Sequence, residues 1–243
     1  MITTASCLDP AVGLPALASR SVDVAVCDPP YSAHVHAQLG REDRADGRAA
    51  RAALTFAALD ETTARDVAAE LCRVCRRWLI LFTDERSIDL WARSVEAAGG
   101  LYVRAGAWIK TDPMPQMSGD RPAAGTESIV ICHAPRLRGE GRMRWHGHGR
   151  PATYRGSTKD PGERRRHPCA KPLWLLRAIL ADFTDRGETV IDPFCGSGST
   201  GVAALHLGRH FRGWEIDPRM ADVARARLAG VREQTALPFG EAA

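Results

Sequence analysis

Short apolar runs alternate with amphipathic stretches along most of the chain. Val24-Ala25-Val26-Cys27 lies within Ser21–Asp28, is rich in β-branched residues and is stopped by Pro29-Pro30, which predicts a short buried strand. From Asp60, read as an N-cap, apolar residues recur at Ala64, Val67, Ala68, Leu71, Val74, Cys75 and Trp78, a helical spacing. Leu79-Ile80-Leu81-Phe82 predicts a second buried strand, followed by a helix over 86–98 that Gly99-Gly100 stops. Strands are expected at 101–109 and 128–132, and a helix is marked by Leu173, Leu176, Ile179, Leu180 and Phe183. Thr189–Asp192 predicts a strand, Ser199–Leu207 a helix closed by Gly208, and Phe211–Ile216 another strand. Asp217-Pro218 then supplies an N-cap and a first-turn proline for a last helix. Strands alternating with helices predict an α/β fold with an open, mainly parallel sheet and helices on both faces. The polar, Ala- and Arg-rich stretch 32–58 predicts a mobile loop with some helix.

Composition changes this picture little, except in where the charge falls. The 243 residues suit one α/β domain spanning 1–243. No apolar run approaches the ~20 residues that span a bilayer, and Met1–Ser6 has no basic or apolar leader pattern, so a cytoplasmic protein is expected. The seven cysteines lie mostly in apolar segments and read as buried free thiols. Cys72 and Cys75 form one close pair without a second, so no metal site is expected. The net charge is +4, yet residues 133–167 alone hold ten basic against three acidic residues, which is +7 and leaves −3 elsewhere. Such asymmetry predicts a polyanion partner for this basic insert. Arg136, Arg138, Arg142, Arg144, Trp145 and Arg150 are its expected contacts, through phosphates, base edges or stacking.

Two motifs carry chemistry. Between a predicted strand and helix, Gly196, Gly198 and Gly201 match a G-x-G-x-x-G loop, whose backbone turns tightly and lets a ligand approach. Glu215 ends the next strand, where an acid grips ribose hydroxyls. Alone, this constellation fits either a nicotinamide dinucleotide or S-adenosylmethionine. The second motif, Asp28-Pro29-Pro30-Tyr31, follows a strand, at the sheet end where ligands collect. A carboxylate and a rigidly held carbonyl can accept the hydrogens of an exocyclic amine, whose lone pair is otherwise delocalised. Two prolines preorganise that carbonyl, and the tyrosine can stack on an extruded base.

Both motifs in this order resemble the β-class of DNA amino-methyltransferases. The resemblance runs from Asp28-Pro29-Pro30-Tyr31 through His167-Pro168-Cys169-Ala170-Lys171-Pro172 to Asp192-Pro193-Phe194-Cys195-Gly196-Ser197-Gly198. It implies a Rossmann-like, seven-stranded methyltransferase fold in permuted motif order, with S-adenosylmethionine as cofactor and double-stranded DNA as partner. It implies that Asp192, Phe194, Cys195, Gly196, Ser197, Gly198 and Thr200 surround the cofactor, that Glu215 holds its ribose, and that His167 and Lys171 close the pocket. The family usually has glutamine at the position of Ala170 and often an acid at that of Ser6, which bears on the adenine-end contact. An aspartate-led tetrapeptide is more often found with N6 of adenine, and a serine-led one with N4 of cytosine.

N6-adenine methylation of DNA is therefore the expected activity, with N4-cytosine as the runner-up. Methylation of RNA or of a protein glutamine is disfavoured by the motif order and the basic insert. A DNA-binding module without catalysis leaves Asp28 and Tyr31 unused, and an oxidoreductase leaves the tetrapeptide without a role. A homodimeric state and an accompanying restriction enzyme stay open. His34 and His36, just after the tetrapeptide, receive no role.

Overall fold

The computed structural model describes residues 1–30, 60–117, 119–160 and 170–236, with side chains through Val231. The tetrapeptide's Tyr31, the stretch 32–58 with His34 and His36, His167, and Arg164 to Arg166 lie outside the described residues. The strands are β1 (Ile2–Thr4), β2 (Val24–Cys27), β3 (Trp78–Thr83), β4 (Leu101–Lys110), β5 (Thr126–His133), β6 (Thr153–Gly156), β7 (Thr189–Asp192) and β8 (His210–Glu215). The helices are α1 (Glu61–Val74), α2 (Ile88–Ala97), α3 (Leu173–Phe183), α4 (Ser199–His206) and α5 (Pro218–Ala236). Asp60 caps α1 as expected, its side chain accepting the Thr63 amide at 2.6 Å.

The eight strands form one sheet in the order β1-β8-β7-β2-β3-β5-β4-β6. All neighbours are parallel except that β5 runs against both β3 and β4. The sheet is thus the mainly parallel one expected, with an eighth strand. The additional elements are short: β1 and β6, three and four residues long, carry too little periodicity to be read in isolation. β6 is nonetheless well anchored, since buried Tyr154 donates its hydroxyl to Asp182 Oδ2 at 2.9 Å.

Strand periodicity divides the core. Val24, Val26, Ile80, Phe82, Trp108, Ile129 and Ile131 face α3, α4 and α5. Ala25, Cys27, Leu79, Leu81, Val130 and Cys132 face α1 and α2. Successive side chains point to opposite faces, so central strands covered on both sides are apolar throughout. Cys72 and Cys75 belong to this second layer and are buried free thiols; burial raises the Cys72 thiol to about 12.

The strand order reverses between β7 and β2. From β7 the chain proceeds outward to β8, and from β2 it proceeds the other way to β3. A crevice at such a reversal, at the C-terminal ends of the strands, is where open α/β sheets bind ligands. Asp192 ends β7, and Asp28 follows β2 directly beside it.

Candidate active site

The glycine loop leaves β7 and enters α4 through Gly198, which caps the helix with φ +81°. A Cβ there would come within 2.9 Å of the Ala224 Cβ on α5, so both conformation and space require glycine. Gly196, at φ +49°, has nothing within 4 Å of the position a Cβ would take, and that side of the loop is open among the described residues. Arg227 of α5 braces the loop from behind, donating to the Ser197 carbonyl at 2.8 Å and to the Ser199 hydroxyl at 3.0 Å. Nothing in the local sequence pattern singles out this arginine.

The loop's amides are already engaged by carboxylates. Asp192 Oδ1 accepts the Phe194 amide at 3.0 Å, and Glu215 Oε2 accepts the Gly196 amide at 2.8 Å. The other Glu215 oxygen accepts the Asp217 amide at 2.9 Å. Asp192 is buried, also hydrogen-bonds the Thr200 side chain, and its carboxyl is pushed up to about 7, chiefly by burial. The negative charges of Asp28 and Glu215 act in the same direction. Burial likewise raises the Cys195 thiol.

Across the crevice, Asp28 meets Lys171, whose ammonium lies 2.5 Å from Asp28 Oδ2 and 2.8 Å from Glu127 Oε1. Lys110 reaches the other Glu127 oxygen at 3.4 Å. The four charges alternate in a row, and the Lys171 and Glu127 side chains are almost wholly enclosed. The Lys171 ammonium lies 5.0 Å from the Phe82 ring centre. The Asp28 side chain keeps 28% exposure. Its Oδ1 atom, however, is buried and has no hydrogen-bond partner among the described residues. Burial holds the Asp28 carboxyl above the ordinary carboxylate range, opposed by Lys171 and reinforced by Glu127.

Lys171 owes its place to the start of α3. Asp160 caps that helix, accepting the Leu173 amide at 2.6 Å and the Trp174 amide at 3.0 Å. Asp112 in turn ties down the preceding turn through the Ser157 hydroxyl at 2.8 Å and the Thr158 amide at 2.6 Å. The family resemblance associates Lys171 with the cofactor pocket, and the fold directs its ammonium to Asp28 and Glu127. Glu127 is a member of the site that sequence reasoning does not reach.

Arg136, Arg138, Arg142, Arg144, Trp145 and Arg150 do not join this edge. Because β5 is antiparallel, it delivers the chain after His133 to the N-terminal edge of the sheet, where β3 begins. There the Arg144 carbonyl accepts Trp78 Nε1 at 2.8 Å and Arg77 at 3.0 Å. Arg150 pairs with Asp182 at 2.8 Å, and Arg144 lies 3.7 Å from Asp185. Arg136 donates to the Gly141 carbonyl at 2.7 Å, and Trp145 is half-buried with its ring 6.4 Å from that of Phe183. Arg138 and Arg142 are exposed on the same segment. The length of β3 separates these residues from Asp28, roughly 20 Å at strand rise. Arg136, Arg138, Arg142, Arg144, Trp145 and Arg150, the expected DNA contacts, thus lie at the opposite edge of the sheet from Asp28, where Arg136, Arg144 and Arg150 also make intramolecular contacts.

Residues 22–226 match the family model for N6_N4_Mtase, DNA methylase. The chain belongs to this DNA methylase family. Among curated relatives, the Type II methyltransferase M2.DpnII of Streptococcus pneumoniae is 31% identical over 135 residues, covering 52% of this chain and 50% of that one. The chain spans about half the length of the curated relatives it matches. Among solved structures, an M1.HpyAVI–SAM complex superimposes with TM-score 0.68 at 22% identity, covering 94% of this chain and 99% of the other. The PvuII DNA methyltransferase, described as cytosine-N4-specific, does so with TM-score 0.66 at 13% identity, covering 99% and 90%. The fold of this chain is therefore that of known DNA methyltransferases, and the span matched by the family model includes both the Asp28 turn and the glycine loop.

Proposed function

We propose that the protein transfers a methyl group from S-adenosylmethionine to N6 of an adenine flipped out of duplex DNA. The observation that carries the reading is the Asp28 carboxylate at the strand-order reversal, with Oδ1 unpartnered among the described residues and the glycine loop on the neighbouring strand. A buried acceptor without a donor is costly, and the hydrogens of an exocyclic amine supply one. The Pro29 and Pro30 backbone adds a rigid carbonyl of fixed aim, and Tyr31 is assigned the stacking role.

The residues present fit S-adenosylmethionine better than a dinucleotide. The Phe194 and Gly196 amides that a pyrophosphate would need are occupied by Asp192 and Glu215. With Asp28, those carboxylates gather negative charge that suits a cationic sulfonium and ammonium and repels phosphates. Asp192, Phe194, Cys195, Gly196, Ser197, Gly198 and Thr200 would hold the cofactor, with His167 closing the pocket and Glu215 at the ribose. When bound, the cofactor supplies an electrophilic methyl group. Asp28 would hold the amine for that methyl group and accept the surplus proton from the methylated nitrogen, passing it on to solvent.

DNA docks on the Asp28 edge in this reading. Arg155 and Lys159 are exposed on the strand and turn that run toward that edge, and they are the basic residues suited to phosphate contact there. The relatives' Type II designation supports a role in restriction–modification. N4 of cytosine would meet the same carboxylate, and the PvuII likeness keeps that reading open. The aspartate-led tetrapeptide favours adenine. Nucleoside mass spectrometry of DNA treated with the protein decides it: N6-methyladenine is expected, N4-methylcytosine would shift the target base, and no methylated base would overturn the activity.

A further inference from the structure

We infer that Lys171 and Glu127 are positioning residues for the Asp28 carboxylate, Lys171 fixing Oδ2 and Glu127 holding Lys171, so that Oδ1 alone faces the substrate amine. The inference rests on the reading of Asp28 as the group that meets the amine. Each link is short: Lys171 to Asp28 at 2.5 Å, Lys171 to Glu127 at 2.8 Å, and Lys110 to Glu127 at 3.4 Å. Each member sits on a different element. Asp28 follows β2, Lys171 precedes the capped start of α3, Glu127 opens β5 and Lys110 ends β4. The row therefore reports the relative placement of four elements and cannot slide as one flexible chain.

Charge balance explains why a second carboxylate belongs there. Asp28 and Lys171 by themselves would make a neutral pair, with the carboxylate's electron density drawn toward the ammonium. Glu127 competes for that ammonium, so less electron density is drawn from Asp28 than in an isolated pair and Oδ1 stays a strong acceptor, while Lys110 on the other Glu127 oxygen brings the row of four charges to neutrality. The Phe82 ring under the ammonium narrows its positions further.

The groups bearing on Asp28 also give the arrangement a signature that mere packing would not produce. Lys171 and Lys110 favour its ionised form, whereas Glu127, burial and Asp192 on the adjacent strand oppose it. If turnover needs the ionised carboxylate, kcat rises with pH through its titration. Removing Lys171 should move that acid limb to higher pH, and removing Glu127 should move it to lower pH.

The test uses the full chain with Lys171→Met, Glu127→Gln and Asp28→Ala, measuring kcat against pH on duplex DNA and S-adenosylmethionine affinity by calorimetry. Lys171→Met and Glu127→Gln should each lower kcat by roughly ten- to hundredfold, less than the ~10²–10³ expected from losing the carboxylate. Their acid limbs should shift in opposite directions, with cofactor affinity little changed. Unmoved limbs in both, with Asp28→Ala inactive, would overturn the positioning role. Near-normal turnover in Asp28→Ala would instead remove the underlying assignment of Asp28. Thermal melting identifies a variant that fails to fold. In that case Lys110→Met, one step further along the row, should shift the limb slightly upward, and an unmoved limb there overturns the inference.

Discussion

The two edges of the sheet are both rich in charge and use it differently. At the C-terminal edge, Asp28 has one oxygen fixed by Lys171 and the other buried without a partner among the described residues. At the N-terminal edge, ions close on one another: Arg150 with Asp182, Arg77 with Asp185, and Arg77 and Trp78 on the Arg144 carbonyl. The first arrangement leaves a carboxylate oxygen open, whereas the second closes ion pairs across the edge and, of the buried side-chain atoms there, leaves only an indole N–H, Trp145 Nε1, and an imidazole nitrogen, His146 Nε2, without hydrogen bonds among the described residues. The density of arginine along a segment therefore says less about function than whether its donors already have acceptors. Pairs with one solvent-exposed partner add little stability individually. Asp182 is different, because it is buried between Arg150 and the Tyr154 hydroxyl.

The sharpest way to break the contrast is Asp28→Ala. Turnover should fall by ~10²–10³ while cofactor affinity remains nearly intact, because the role proposed for the carboxylate is on the amine in the transition state. Single-turnover methylation beside a calorimetric titration separates the two effects. A loss confined to affinity would move Asp28 from chemistry to cofactor binding.

Next in size is a pH effect on cofactor binding. The Asp192 carboxyl, raised to about 7, is partly protonated below neutrality. A cationic ligand favours its ionised form, so affinity should strengthen as pH rises toward 7, by at most about tenfold per unit. Asp192→Asn should flatten that dependence. The ligand-free protein should respond with the opposite sign. Its native state retains a proton that the unfolded chain releases near pH 4, so stability should decline as pH rises from about 4 through 7.

At the far edge, Asp182→Ala should destabilise the fold by about 1–3 kcal/mol, by leaving the Tyr154 hydroxyl and Arg150 without their acceptor. Methylation by the molecules that remain folded should be unaffected, as thermal melts alongside activity per folded molecule would establish. An activity loss exceeding the unfolded fraction would couple the two edges. Smallest is the effect on DNA. Arg155→Ala or Lys159→Ala should each lower the salt-dependence slope of binding by ~1, whereas Arg138→Ala and Arg142→Ala should leave it unchanged. The reverse pattern would return the DNA face to the N-terminal edge.

Much of this site is legible in the sequence alone. Asp28, the glycine loop and Glu215 each sit where a parallel strand ends, and strand ends are visible as apolar runs meeting proline or glycine. Glu127 is not legible in this way, and β5 explains why. In a parallel sheet the first residues of a strand lie far from the ligand edge, so a charge preceding Ile129–Cys132 reads as remote. The reversal of β5 brings its beginning, Glu127, to Lys171, and carries its end, with Arg136–Arg150 following, to the opposite edge. One change of strand direction accounts for both the hidden residue and the place of Arg136–Arg150. A lone acid ahead of a four-residue apolar run is the available signal, but its partner lies 44 positions along the chain and no local pattern links them.

The middle of the sheet pairs Val24 with Val190 and Ala25 with Ile191. During synthesis, the strand that leads to Asp28 emerges early, yet one of its two neighbours is made only after more than 160 further residues have been added. Contacts this distant in sequence are slow to form because a long loop must first be closed. Val24–Cys27, an apolar segment, must therefore remain unaggregated with one side unpaired until β7 arrives, and β1 waits longer still for β8. The permuted chain order thus delays assembly of the crevice until β7 has been made, so a molecule interrupted before residue 190 has the Asp28 carboxylate but no pocket beside it.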